Sequence, residues 1–181
     1  MKRFSLAAVI ALSLALAVTV QSATQPTGAL NVPSGMGLEL KIAGKTVPVP
    51  VPTGKDVPLP AGKYQPASLT CGAIAPTTKE IWSIKCLGPT WGKIANIQVT
   101  EGQTTTLEAG PPFTLKTVVY KTETAPNGGK VVPVTLHVYG KAGELYDLNT
   151  FRRGALQAPN LTLQIVDEQG KVLASGILPY G

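Results

Sequence analysis

Proline and glycine restrict this chain more than any other feature. Sixteen prolines and nineteen glycines are spread through its 181 residues, and every one lies beyond residue 25. Proline removes a backbone donor and clashes inside a helix, while glycine weakens a helix interior by about 1 kcal/mol relative to alanine. Helix signals are accordingly almost absent after residue 23. Turn signals recur roughly every 8–12 residues between short runs rich in Val and Thr, the spacing of an all-β sandwich.

The densest proline run, Lys45-Thr-Val-Pro-Val-Pro-Val-Pro52, has a direction. In a strand, residues two apart share a face and an edge. Pro48, Pro50 and Pro52 therefore line one edge, and Val47, Val49 and Val51 can face a core. An edge without N–H groups cannot recruit another chain. The segment predicts a protected edge strand in preference to a polyproline ligand. Val57-Pro-Leu-Pro60 repeats the pattern on a smaller scale.

The first residues carry a different signal. Lys2 and Arg3 precede an uncharged, Ala/Leu/Val-rich run from Phe4 to Val20, then polar Gln21 and Ser22 and small Ala23. That order is a secretory signal peptide of bacterial type, and the apolar core is shorter than the roughly 20 residues of a membrane span. Residues 1–23 are expected to be removed, leaving no transmembrane segment in a protein exported to the periplasm, cell surface or medium. The formal net charge of +6 falls to +4 once Lys2 and Arg3 are gone. The remaining charges are dispersed, with Arg152–Arg153 the basic pair of the mature chain. A nucleic-acid surface needs clustered positive charge, so no nucleic-acid partner is expected. Export points instead to another envelope protein or a polysaccharide.

Residues 24–35 are expected as an extended lead-in. Residues 66–75 and 80–87 are expected as a hairpin around Ala75-Pro-Thr-Thr-Lys79. Centring it between Thr78 and Lys79 puts Cys71 opposite Cys86, Ala73 opposite Ile84 and Ala75 opposite Trp82, all on one face. Opposed Cβ atoms lie about 4.5–5.5 Å apart, close to bridging distance, and exported chains favour disulfides. A Cys71–Cys86 disulfide is therefore expected. Ile94–Val99 with Glu101–Leu107, Phe113–Thr122 with Val131–Tyr139, and Leu161–Val166 with Lys171–Leu178 are expected as further hairpins. Gly140–Pro159 is expected to be irregular.

Val57-Pro-Leu-Pro-Ala-Gly-Lys-Tyr64, Ile97-Gln-Val-Thr-Glu-Gly-Gln-Thr-Thr-Thr-Leu107 and Gly170-Lys-Val-Leu-Ala-Ser-Gly176 resemble the turn rhythm of carboxypeptidase-regulatory-like, PEGA and Cna-B-type modules. The resemblance covers about residues 36–110. It implies small immunoglobulin-like or prealbumin-like sandwiches acting as non-catalytic scaffolds or binding modules, and it carries over no active-site residues. Some such modules form Lys–Asn isopeptide bonds, for which the spacing of Glu39, Lys41 and Asn96 selects nothing. With Gly110-Pro111-Pro112 as a boundary, the expected organisation is a sandwich module at 36–110 and a second sandwich-like module at 113–181. One larger sandwich is the rival arrangement.

The chemistry-bearing residues are few. The one histidine, His137, shares the polar face of its strand with Thr135 and Tyr139. With both cysteines assigned to a bridge, neither a histidine-dependent triad nor a zinc site is expected, and no cofactor or metal is assigned. Glu144, Tyr146, Asp147, Arg152 and Arg153 crowd into the stretch expected to be irregular, and loops on rigid sandwiches tend to carry function. Trp91 with Tyr64 is the best pair for an exposed aromatic platform. These seven residues are the candidate ligand surface. The expected function is a non-enzymatic exported module for binding, adhesion or envelope structure, with a small carboxylate-dependent hydrolase and a surface-layer subunit as alternatives.

Overall fold

The computed structural model describes residues 25–42, 45–49 and 54–179. The expected signal peptide, Pro50 and Pro52 lie outside them. Within them the protein is all-β, with one short 3-10 turn at Gly92–Ala95. The strands of the first half are β1 (Thr27–Asn31), β2 (Met36–Ile42), β3 (Lys45–Val49), β4 (Asp56–Pro60), β5 (Gly62–Ile74), β6 (Ile81–Cys86), β7 (Ile97–Val99) and β8 (Thr104–Thr106). Those of the second half are β9 (Thr114–Val119), β10 (Glu123–Thr124), β11 (Lys130–Val131), β12 (Val134–Tyr139), β13 (Leu145–Arg153), β14 (Leu156–Gln157), β15 (Leu161–Val166) and β16 (Val172–Leu178).

The strands form a sandwich-like arrangement. A small sheet runs β4–β1–β8, and a large one runs β3–β2–β5–β6–β13–β12–β9, with β14 beside β13 and β7 beside β5. Two-stranded ribbons, β10–β11 and β15–β16, stand apart. Thirteen-residue β5 ties the first half together: its start pairs with β7, and further along it pairs with β2 and β6. At the β4–β5 corner, the N–H of Ala61 donates to the carbonyl of Pro26 at 2.7 Å.

Alternation puts the core on the inner faces of both sheets. Leu30, Val32, Leu38, Leu40, Leu69 and Val99 are at most 2% exposed. Each such burial contributes about 1.5–3 kcal/mol. The expected edge strand is found: β3 ends the large sheet with Val49 turned into the core. Proline-bearing β4 is likewise an edge, of the small sheet.

Several expectations are corrected. Residues 24–35 are more than a lead-in: β1 pairs with both β4 and β8, and Leu30 and Val32 are fully buried. The β7 and β8 segments do not pair with each other; β7 joins β5 antiparallel and β8 joins β1 in parallel. The stretch from Gly140 to Pro159 contains the nine-residue strand β13. The module arrangement is a separate matter: β6 pairs with β13, and Val138, Ala142 and Tyr146 join the core cluster of the first half. By contrast, every residue of β9 is exposed. The expected hairpins of β9 with β12 and of β15 with β16 both form.

The β5–β6 hairpin forms with a different register. Cys71 lies opposite Ile84, Cys86 opposite Leu69 and Ala73 opposite Trp82. The loop is closed by the N–H of Ala75 donating to the carbonyl of Glu80 at 2.8 Å, with Lys79 at a φ of 58°. This shifts the partner of every β5 residue by two positions. The cysteines stay on one face but become diagonal neighbours, a relation that separates such residues by about 7–8 Å. Both are free thiols and both are buried, in place of the expected disulfide.

Candidate functional site

A cleft of about 340 Å3 opens where the β1–β2 turn, the β5–β6 hairpin, the segment after β8 and β13 converge. Met36, Cys71, Trp82, Leu107, Phe113 and Phe151, together with Ile84, are the large apolar and sulfur-bearing side chains of its wall. Strand alternation places Cys71 and Trp82 on one face of the hairpin, as the sequence predicts, although their partners differ. Ring contacts hold the aromatics. Trp82 and Phe151 sit with centroids 5.4 Å apart, and Phe113 meets Tyr146 edge-on at 5.1 Å. Such pairs add about 0.5–1.5 kcal/mol beyond burial.

Behind Cys71 lies a buried polar chain. Glu144 is fully buried. Its Oε1 accepts from the N–H of Gly110 at 2.6 Å and from the hydroxyl of Tyr146 at 3.0 Å, and its Oε2 accepts from the N–H of Ala142 at 2.9 Å. Since the single Tyr146 proton goes to the carboxylate, the thiol of Cys71 donates to Tyr146 Oη, 3.1 Å away. Glycines make the seat possible. A Cβ at Gly140 would collide with the Glu144 carboxylate, and one at Gly110, where φ is 80°, would press on Met36 Sδ and Cys71 Sγ.

This chain keeps the thiol neutral. Burial pushes the Cys71 thiol up to about 11, chiefly because the thiolate would lose its water, with the Glu144 charge adding to the shift. Burial raises Cys86 as well, and raises the Tyr146 phenol far above its ordinary value. A thiolate is the nucleophile and metal ligand, so Cys71 serves the cleft as a soft neutral wall. At the rim, Lys141 and Glu108 form an ion pair.

The seven candidate ligand-surface residues are scattered by the fold. Tyr64 is buried, its hydroxyl donating to the carbonyl of Pro60 at 2.5 Å, so it forms no exposed platform. Trp91 is half-buried, packs against the core and lies beside Gly88. Glu144 and Tyr146 point inward, whereas Asp147 caps the N–H of Asn149 at 2.9 Å. Arg152 donates to the carbonyls of Asn149 and Phe151. Arg153 forms a bidentate pair with Glu80 at 2.7 and 2.8 Å and lies over the Trp82 ring. None of the seven lines the cleft itself, though Tyr146 contacts both Cys71 and Phe113 of its wall. Sequence reasoning missed Met36, Leu107, Phe113 and Phe151, which converge from three separate segments.

Elsewhere, His137 lines a hollow of about 520 Å3 where β12 and β13 diverge, its Nδ1 3.4 Å from the Tyr139 hydroxyl. A more open hollow of about 910 Å3 lies over β2, β5 and β6, with small residues such as Gly37, Ser68 and Gly72 along it. Among the described residues, no three His, Cys, Asp or Glu side chains gather as a metal site, and no helix is long and apolar enough to cross a membrane. No family model, curated protein or solved structure matches the chain.

Proposed function

We propose that this protein is an exported, non-enzymatic module of the immunoglobulin-like or prealbumin-like sandwich type that binds a ligand in the Cys71–Trp82 cleft. The observation that carries the reading is the commitment of Glu144. Both oxygens of this buried carboxylate accept hydrogen bonds from structural donors, which leaves the residue bracing the cleft instead of moving protons. A general acid or base must reach the group it serves, and the carboxylate on the cleft lining, Glu108, sits exposed at the rim in its ion pair with Lys141. The signal-like sequence of residues 1–23 supports export, and export makes another envelope protein or a polysaccharide the expected larger partner.

The purified chain is to be incubated with a panel of chromogenic esters, glycosides and amides. No turnover above the buffer rate is expected. Turnover that disappears in Glu108→Gln would establish the carboxylate-dependent hydrolase and overturn the binding reading.

A further inference from the structure

We infer that the cleft takes a small uncharged aromatic molecule, an assignment that rests on the binding reading above. Three observations converge on this class. The first is size: about 340 Å3 is at the small end of ligand pockets, which run roughly 300–1,000 Å3. The second is charge. The lining carries Lys141 and Glu108, which neutralise each other in their rim ion pair, and the Cys71 thiol on the wall is held in its protonated form. Among the described residues, every buried side-chain nitrogen or oxygen has a hydrogen-bond partner, so no buried side-chain group waits for a polar or ionic ligand atom. The remaining polar side chains of the lining, Ser34, Ser83 and Thr106, are uncharged hydroxyls, which compensate an ion poorly for the water it would shed.

The third observation is the chemistry of the wall. Trp82, Phe113 and Phe151 supply three rings, and Met36 and Cys71 supply two sulfurs. Rings favour edge-to-face and offset contacts with other rings, and sulfur makes favourable contacts with aromatic edges. A flexible aliphatic chain gains neither and loses rotamer freedom on binding. The wall rings are already braced, Phe151 on Trp82 and Phe113 on Tyr146, so the ligand meets a preformed surface.

The test uses the purified chain and the uncharged fluorophore N-phenyl-1-naphthylamine, displaced in turn by naphthalen-2-ol, octan-1-ol and naphthalene-2-sulfonate. Naphthalen-2-ol is expected to displace the probe at a concentration at least about tenfold below either competitor, a difference of about 1.4 kcal/mol. Location is checked with Thr106→Arg. Thr106 is exposed on the cleft lining and does not line the hollow over β2, β5 and β6, so the substitution leaves the core intact and sets a charge in the cleft alone. It is expected to abolish the probe signal. If Thr106→Arg abolishes the signal but octan-1-ol matches naphthalen-2-ol, or the sulfonate matches or beats it, the aromatic uncharged class is overturned and the binding reading stands. Absence of any probe signal, or a signal indifferent to Thr106→Arg, overturns both.

Discussion

Glu144 shows how one carboxylate can join three segments. It links the Gly110 turn, the Ala142 turn and β13 through two backbone N–H groups and the Tyr146 hydroxyl. Hydrogen bonds to a charged group are worth about 1.5–3 kcal/mol each, and removing one partner leaves the others buried and unsatisfied. Glu144→Gln turns one acceptor oxygen into a donor facing donors, and should lower unfolding stability by about 2–4 kcal/mol in urea titration. A change below about 0.5 kcal/mol, the scale of an ordinary surface substitution, would remove Glu144 from this role. The thiol and phenol behind the cleft give a pH dependence with a definite sign. The raised values of Cys71, Cys86 and Tyr146 mean that the folded state favours their neutral forms. That stability is fully present below the ordinary thiol value of 9.0, and the Cys71 share is lost as pH rises towards about 11. The urea midpoint should therefore fall above pH 9, and Cys71→Ala should flatten the fall between pH 9 and 11. Asp56, held low by Asn31 and Thr104, and Glu80, held low chiefly by Arg153, act oppositely. Their contribution is present above the ordinary carboxylate range and lost in acid.

The hairpin of β5 and β6 turns on a question of register. Moving its centre by one residue changes every pairing by two positions, which leaves each side chain on its original face. Inward–outward alternation is therefore blind to this shift, although it would expose a shift of one. The loop Ala75-Pro-Thr-Thr-Lys79 has no Asn-Gly or Asp-Gly pair to announce its turn type. The bond from Ala75 to Glu80 and the positive φ of Lys79 set the register. In that register the thiols are diagonal, so titration of the denatured, unreduced protein should count two thiols per chain, while the native protein should react slowly. A count of zero would mean that Cys71 and Cys86 are bridged, as in the register with the two cysteines opposed. Burial separates the strands just as sharply. Leu38→Ala on β2 should cost about 2–5 kcal/mol, whereas Leu115→Ala on β9, where the side chain is 64% exposed, should stay within about 0.5 kcal/mol.

At the scale of the molecule, one core serves both halves. The β6–β13 pairing carries the large sheet from residues of the first half into those of the second, and Val138, Ala142 and Tyr146 complete a cluster built mainly by β1 to β7. The strands β9, β15 and β16 bury little, and an isolated two-stranded ribbon is marginally stable in water. A fragment of residues 113–181 should therefore lack a cooperative urea transition, while the full chain unfolds cooperatively. A cooperative transition in the fragment would establish two independent modules.

Local chemistry alone determined much of this protein. Proline and glycine excluded helices and spaced the strands, and the period-two prolines marked β3 as an edge. Asn127-Gly-Gly129 and the glycine at 170 located two hairpins, because turn residues act through their own φ and their own donors. Alternation also put Cys71 and Trp82 on one face. Only tertiary structure decided which strands became neighbours, since β7 and β8 are adjacent in sequence yet join different partners. It alone turned Glu144 and Tyr146 inward while leaving Arg153 on the surface with Glu80. The cleft belongs to that second category for the same reason. Met36, Cys71, Leu107, Phe113 and Phe151 come from distant segments, and their meeting depends on sheet order and register, which no short window of sequence encodes.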